Sequence, residues 1–321
     1  MKNKAIIVFG GAGFIGSQII SHIHENDIKI IIIDNLCRGS VDYLDDRLDY
    51  QFEKVDIHNF NELQLCINKI NQDYTINEVW HFAANSDIPA GVKNPEIDMR
   101  DTFLTTYNIL LAIKNIPIIK FMFASSSAVY GDLGEKLISE TSAPLLPISN
   151  YGAMKLASEA ILSSYAEQAS AKIYIFRFPN VVGAPATHGV IFDFINKLRT
   201  NPNFLKVLGN GTQQKPYLHV EDLIKAMIHI KNKSELKRNI VNIGPNDSGI
   251  SVSEIATITR DYVSPKAKIE YGKEDRGWPG DVPKFNYDTS LLESLGFTTM
   301  SSSREAIEKS VKEIFAQLSK D

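Results

Sequence analysis

The stretch Val8-Phe9-Gly10-Gly11-Ala12-Gly13-Phe14-Ile15-Gly16-Ser17 decides how the chain is read. It closes an apolar run that begins at Ala5 and opens an amphipathic segment, Gly13–His24. Gly10, Gly13 and Gly16 stand in a G-x-x-G-x-x-G spacing. Residues without side chains permit a tight turn, close backbone approach to a pyrophosphate, and close packing of helix on sheet. The helix then turns its unpaired N–H groups and positive dipole end toward the phosphates. No Gly-Lys-Ser or Gly-Lys-Thr follows, which disfavours a phosphotransferase P-loop.

Moving outward, a second apolar run, Ile28–Ile33, ends in Asp34, eighteen residues past Gly16. A carboxylate at that strand end accepts hydrogen bonds from the adenosine ribose and repels a 2′-phosphate, so the pair favours NAD over NADP. Arg38 carries two readings, a solvated loop residue or a partner for a 2′-phosphate. Asp56 also carries two, a contact to the adenine amino group or the cap of a helix starting near Asn59.

The same alternation runs on through the first 180 residues. Strand-like runs are Ala5–Phe9, Ile28–Ile33, Gln51–Lys54, Glu78–Phe82, Ile119–Ala124 and Ile173–Arg177. Helical patterns fall at Gly13–His24, Asn61–Asn68, Thr102–Lys114 and Tyr151–Ala169. Continuous apolar strands alternating with helices predict an α/β fold with a doubly wound parallel sheet covered on both faces. Past Gly183 the pattern turns irregular, with helical pieces at Val190–Leu198, Val220–Lys231, Val252–Tyr262 and Arg304–Leu318 among Gly/Pro/Asn-rich loops. The expected division is a dinucleotide domain over 1–180 and a smaller C-terminal α/β substrate lobe over 181–321. Part of 215–245, including Val220–Lys231, is expected to pack back on the first domain.

Composition sets the bounds. With 321 residues, 34 Lys+Arg against 38 Asp+Glu and a net charge of −4, the chain has the make-up of a globular protein without a concentrated basic surface. Nucleic acid and anionic membrane are therefore not expected as partners. Two cysteines, Cys37 and Cys66, cannot build a disulfide framework. The apolar runs fall far short of the roughly 20 residues a membrane span requires. Neither a His-Glu-x-x-His nor paired Cys-x-x-Cys motifs occur, so no metal is expected. These features together predict a cytoplasmic protein.

Tyr151 and Lys155 stand four residues apart on one predicted helix, hence on one face, with Pro147, Ser149 and Asn150 marking its start. Ala157, Ala160 and Ile161 are expected to continue the buried stripe. A phenol titrates near 10, too high for a base at neutral pH. A neighbouring ammonium and the positive nicotinamide are expected to pull it down. An ordinary surface pair is the alternative. Upstream, Ser125-Ser126-Ser127-Ala128-Val129-Tyr130-Gly131 leaves a predicted strand at its carboxyl end, where parallel sheets bind ligands. Hydroxyls there can bond a sugar alcohol and pass its proton to Tyr151.

Taken in order, the glycine turn, Asp34-Asn35-Leu36, His81-Phe82-Ala83-Ala84, Ser125–Gly131, Tyr151/Lys155 and Arg177-Phe178-Pro179-Asn180-Val181 carry a resemblance. The chain resembles the extended short-chain dehydrogenase/reductases of the nucleotide-sugar epimerase/dehydratase type, close in pattern to UDP-glucose 4-epimerases. The resemblance implies a Rossmann-type fold and NAD as cofactor. It makes Tyr151 the catalytic base, Lys155 the holder of the nicotinamide ribose, Ser126 the catalytic hydroxyl and Ser127 a second one. Around the cofactor it places Gly10, Gly13, Phe14, Ile15, Gly16, Asp34, Asn35, Leu36, Arg38, Asp56, Ile57, Phe82, Ala83, Ala84, Ser86, Thr102, Ala124 and Phe178, with Tyr151 and Lys155. Toward a nucleoside-diphosphate sugar it places Ser86, Ser126, Asn180, Val190, Lys215, Tyr217 and Arg276. It also implies a homodimer through a four-helix bundle built from Thr102–Lys114 and Tyr151–Ala169, with Ile109, Leu110, Ile161 and Leu162 compatible with that interface or with the core.

Departures from the pattern narrow the chemistry. Lys215 replaces the usual Arg, and Trp278 stands where an Arg precedes Pro279, leaving Arg276 as the nearby cation. Thr102 stands where the family commonly has Asn. The positions after Ser126 are Ser127 and Ala128, without the carboxylate that 4,6-dehydratases use, so oxidation at C4 remains. Three outcomes stay open: a 4-epimerase working through a 4-keto sugar, a dehydrogenase releasing that sugar (on GDP-mannose or heptose-type substrates, for example), and a non-catalytic NAD-binding scaffold.

Overall fold

The computed structural model describes residues 2–25, 27–134, 136–274, 285–299 and 301–319. It divides into two compact units. The first comprises Met1–Gly131, Leu145–Arg177 and Met227–Val241; the second comprises Asp132–Pro144, Phe178–Ala226 and Asn242–Asp321.

The first unit is built on a seven-stranded sheet. Its strands are β1 (Asn3–Phe9), β2 (Ile28–Asp34), β3 (Tyr50–Lys54), β4 (Tyr74–His81), β5 (Lys120–Ala124), β6 (Lys172–Arg177) and β7 (Arg238–Asn242). Their spatial order is β7-β6-β5-β4-β1-β2-β3, and every pair from β6 to β3 is parallel. The apolar runs explain this arrangement. Ile30, Ile31, Ile32 and Ile33 are all fully buried, as strands covered on both faces require. Each such side chain contributes about 1.5–3 kcal/mol on burial. Helices Phe14–Ile23, Phe60–Asp73, Thr105–Ala112 and Asn150–Gln168 flank the sheet, and their apolar residues join one core around Ile7, Phe9, Ile67, Ile109, Phe121 and Leu162.

Chain order reverses between β1 and β4, which leaves a crevice at their carboxyl ends. The Phe9 carbonyl there accepts from Phe82 N–H at 2.9 Å and Ala83 N–H at 3.2 Å. The glycine turn is thereby fastened to the segment after β4.

Several boundaries differ from the sequence reading. β4 begins at Tyr74 rather than Glu78, because β1 pairs with it from Asn3 onward through a bulge between Ala5 and Ile6. The helix expected over Thr102–Lys114 is regular only over Thr105–Ala112, and a π-helical turn over Met99–Leu104 precedes it. Helix Phe60–Asp73 is capped by Asn59, whose side chain accepts from Glu62 N–H, so Asp56 is not its cap. The strand β7 lies in a stretch with no strong β-run of its own; pairing against β6 supplies the pattern that its sequence lacks.

Among its described residues the second unit holds two-stranded pieces, such as Phe204–Val207 with Lys268–Tyr271 and Asn180–Val182 with Tyr217–His219, both parallel. Helices Val190–Thr200, Val252–Val263 and Ser303–Leu318 bury Ile191, Ile195, Leu198, Ile255, Ile307, Val311 and Ile314 in a core of its own. Ser251/Glu254 and Ser302/Glu305 form capping boxes at two of these helices. Helix Val220–Lys233 begins in this unit and ends in the first, where Lys120 Nζ donates to the Lys231 carbonyl at 3.1 Å.

Candidate active site

The turn after β1 has the build of a phosphate cradle. Gly10 sits at φ +72°, and a Cβ there would come within 2.5 Å of Ala83 N. At Gly16 a Cβ would come within 2.2 Å of the Gly10 carbonyl oxygen, so only glycine brings this helix so close to the turn. Gly13 caps the helix without any side-chain bond, which leaves its first N–H groups for a ligand. Phe14 and Ile15 are half-buried beside it.

Asp34 ends β2 and is 7% exposed. Its Oδ1 accepts from Leu36 N–H at 2.8 Å and its Oδ2 from Ala12 N–H at 3.0 Å. Burial raises its pKa from the ordinary value and those two N–H bonds oppose the rise. Each oxygen keeps lone pairs for a ribose diol. Leu36 holds a left-handed φ of +61° to make its bond. Arg38 is exposed and reaches Ser86 Oγ at 3.4 Å and Asp87 Oδ2 at 3.5 Å, both long. Asn35 is half-buried, Asp56 and Ser86 are exposed, and Ile57 is buried. Phe82, Ala83 and Ala84 line the chain leaving β4, half-buried. The cradle, the free helix end and the braced carboxylate fit a dinucleotide.

The second cluster joins the exit of β5 to helix Asn150–Gln168. Ser149 caps that helix, accepting from Gly152 N–H at 3.1 Å. Ser126 caps the short 3₁₀ turn Ser127–Tyr130, accepting from Ala128 N–H at 3.2 Å, and its hydroxyl stands close enough to the Tyr151 phenol to favour the phenolate. Lys155 is 2% exposed and donates from Nζ to the Ala124 carbonyl at 2.6 Å. Its ammonium lies 5.7 Å over the Tyr151 ring and 4.8 Å over the Phe123 ring. Ser127 is half-buried on the same turn.

Burial governs both groups in the chain by itself. It pushes the Tyr151 phenol up to about 12, and the Ser126 hydroxyl only partly opposes it. Burial pushes the Lys155 ammonium down to about 7, against the pull of Glu159. The ammonium lies over the phenol ring, and burial outweighs what the neighbouring groups return to the phenol. A second positive charge is needed, and a nicotinamide ring would supply one.

A further correction concerns the helix itself. Ala160 is exposed, and Ala157 and Ile161 are half-buried. The buried face is instead Gly152, Lys155, Ser158, Glu159, Leu162 and Ala166, polar for most of its length. Ile109 and Leu162 belong to the core, while Leu110 and Ile161 are half-buried.

Three residues here escaped the sequence reading. Glu159 is buried and forked by Arg177, Nε to Oε1 at 3.0 Å and Nη2 to Oε2 at 2.6 Å. Asp98 is fully buried, accepts from Asn85 Nδ2 at 2.7 Å, and its Oδ2 has no partner among the described residues. A Cβ at Gly91 would overlap that Oδ2, which makes Gly91 the residue that admits the carboxyl. Only the i,i+4 spacing of Lys155 and Glu159 could have signalled the first; nothing local signals the others. Thr102 accepts from Asn85 N–H at 3.2 Å and closes this polar group.

In the second unit, Asn180 is exposed on the strand paired with Tyr217, and Lys215 is half-buried beside Ile250 of the facing strand. Tyr217 packs its side chain into the core of that unit and Phe178 is buried, whereas Val190 is half-buried at a helix start. Arg276 lies outside the described residues.

A model of the NAD dependent epimerase/dehydratase family matches residues 6–244. A protein of Methanocaldococcus jannaschii that carries the provisional name UDP-glucose 4-epimerase is 32% identical over 95% of this chain and 97% of its own length. A crystal structure of a UDP-galactose 4-epimerase superposes with a TM-score of 0.85 at 30% identity, covering 98% of this chain and 99% of that one. The UDP-glucose 4-epimerase of Thermus thermophilus, solved in complex with NAD, superposes at 0.83 with 25% identity, covering 97% and 98%. The dinucleotide that the glycine turn is shaped for is NAD.

Proposed function

The chain belongs to the NAD dependent epimerase/dehydratase family, and on that premise we propose that it inverts the C4 centre of a uridine-diphosphate hexose. The observation that carries this reading is the placement of the Ser126 hydroxyl beside the Tyr151 phenol, with the buried Lys155 ammonium anchored on the Ala124 carbonyl and lying over the phenol ring. The names borne by its relatives support the substrate class.

NAD, when bound, accepts the C4 hydride and returns it. The chain supplies everything else. Tyr151, as phenolate, takes the C4 hydroxyl proton by way of Ser126, which stands beside the phenol and accepts from the Ala128 N–H. Ser127 offers a second hydroxyl on the same turn. Lys155, anchored on the Ala124 carbonyl, holds positive charge over the phenol ring and offers a donor to the nicotinamide ribose. Gly10, Gly13, Phe14, Ile15 and Gly16 hold the pyrophosphate, and Asp34, with Asn35 and Leu36, the adenosine ribose. Phe82, Ala83, Ala84, Ser86, Thr102, Ala124 and Phe178 border the rest of the cofactor; Arg38, Asp56 and Ile57 border the adenosine. Once C4 has been reduced from its other face, Tyr151 returns the proton to the C4 oxygen and is again a phenolate, so no net oxidation occurs. On the second unit we assign Asn180, Val190, Lys215, the Tyr217 backbone and Arg276 to the sugar nucleotide.

Incubation with UDP-glucose, UDP-galactose and their N-acetyl forms, with NADH absorbance and sugar products followed together, tests the reading. Interconversion without net NADH is expected. Accumulating NADH would turn the assignment to a 4-dehydrogenase, and neither signal across a broad panel would overturn the enzyme assignment.

We also infer a homodimer. Met99, Tyr107 and Leu111 expose large apolar surface on and before helix Thr105–Ala112, and Phe103 stacks on Tyr107 with ring centroids 6.4 Å apart.

A further inference from the structure

Glu159 accepts three donors while 4% exposed. Arg177 forks both oxygens, and Ser125 donates its hydroxyl to Oε1. Arg177 spends its remaining arm on the Tyr130 hydroxyl at 2.9 Å, with the guanidinium 4.8 Å over that ring. Taking such a pair out of water is costly, and apolar residues of like volume commonly stabilise a core as well or better. Its presence calls for a reason other than stability.

The placement supplies one. Tyr151, Lys155 and Glu159 follow one another at one-turn intervals on a single helix face. They meet three consecutive residues leaving β5: the Tyr151 phenol stands beside Ser126, Lys155 bonds the Ala124 carbonyl, and Glu159 accepts from Ser125. The lowest rung alone is anchored to a third element, β6, through Arg177.

We propose that Glu159 is a positioning residue of the reaction assigned above, holding the Lys155 ammonium in place and in charge, with Arg177 as its anchor. The inference rests on the roles given to Tyr151 and Lys155. The groups set against Lys155 are the Tyr151 ring and Glu159 on its own helix, the Phe123 ring and Ala124 carbonyl of β5, and His81 from β4; behind Glu159 stand Ser125 and, from β6, Arg177, the latter bonded to Tyr130. Among them Glu159 is the acidic one. Burial and the nearby ammonium drive the pKa of His81 well below its usual value, so it adds no charge. Ser125 and Tyr130 are neutral. Without Glu159, nothing in this set offsets the burial of the lysine.

The test reads Lys155 directly. In protein carrying ¹³Cε-lysine, with the resonance assigned through Lys155→Met, the wild-type signal is expected to titrate near 7. In Glu159→Gln the midpoint is expected to fall by about one unit, and the alkaline limb of turnover to move down with it, kcat dropping while KM holds. Because Glu159→Gln strands a buried guanidinium, the double variant Glu159→Met/Arg177→Met keeps the core neutral, and its midpoint is expected to lie between the other two. Folded variants whose Lys155 titrates as in the wild type would overturn the proposal. The titration needs no substrate. Absent epimerisation with a shifted Lys155 therefore counts against the proposed reaction and not against Glu159.

Discussion

Gly152 stands where a Cβ would come within 2.4 Å of the Ala128 carbonyl oxygen. The helix that carries Tyr151 and Lys155 therefore rests on the turn that Ser126 caps. That contact is made backbone to backbone, so neither side can yield to an added methyl group. Gly152→Ala is expected to lift the helix from the turn, to lose about 100-fold in turnover through misplacement of Tyr151, and to cost about 1–3 kcal/mol of stability. Steady-state kinetics and urea unfolding measure the two effects.

Tyr151→Phe keeps the ring and removes the proton acceptor. Turnover should fall by about 10²–10⁴-fold, while calorimetric titration still shows NAD binding. Near-normal turnover would mean that another group is the base.

Asp34→Ala removes the carboxylate braced by Ala12 and Leu36. NAD affinity should weaken by about 10–100-fold, the value of one or two hydrogen bonds to a charged acceptor. Affinity for NADP should change far less, because the same substitution removes a repulsion from the 2′-phosphate.

Lys155 also sets a pH dependence of stability. Its folded value, about 7, lies below the ordinary 10.5 of an unfolded lysine. Between the two the unfolded chain keeps a proton that the folded chain has shed, so folding becomes more favourable as pH rises through that window. From pH 7 to 9, without NAD, the wild type should gain up to about 2 kcal/mol relative to Lys155→Met, read by denaturant melts. Tyr151 has the opposite sign. With its folded value at about 12 against 10, it subtracts stability only above pH 10.

Tyr107→Glu with Leu111→Glu places charge on the exposed face of helix Thr105–Ala112. With the proposed homodimer, light scattering is expected to show a dimer in the wild type and a monomer in the variant, with the fold unchanged by circular dichroism; a monomeric wild type would overturn it.

What the sequence settled by itself was whatever depends on near neighbours along the chain. The glycine spacing, Asp34 at a strand end, and Tyr151 and Lys155 one turn apart each follow from local periodicity, and so do most strands of the sheet. Only the folded chain could decide the rest. The seventh strand needed β6 beside it, Asp98 needed the open side of Gly91, and the Glu159–Arg177 pair joins a helix to a strand end eighteen residues away. Burial had the last word on the chemistry. A phenol and an ammonium one turn apart would favour each other's charged forms in water. In the folded chain each is driven toward its neutral form, because desolvation outweighs what the neighbouring groups return.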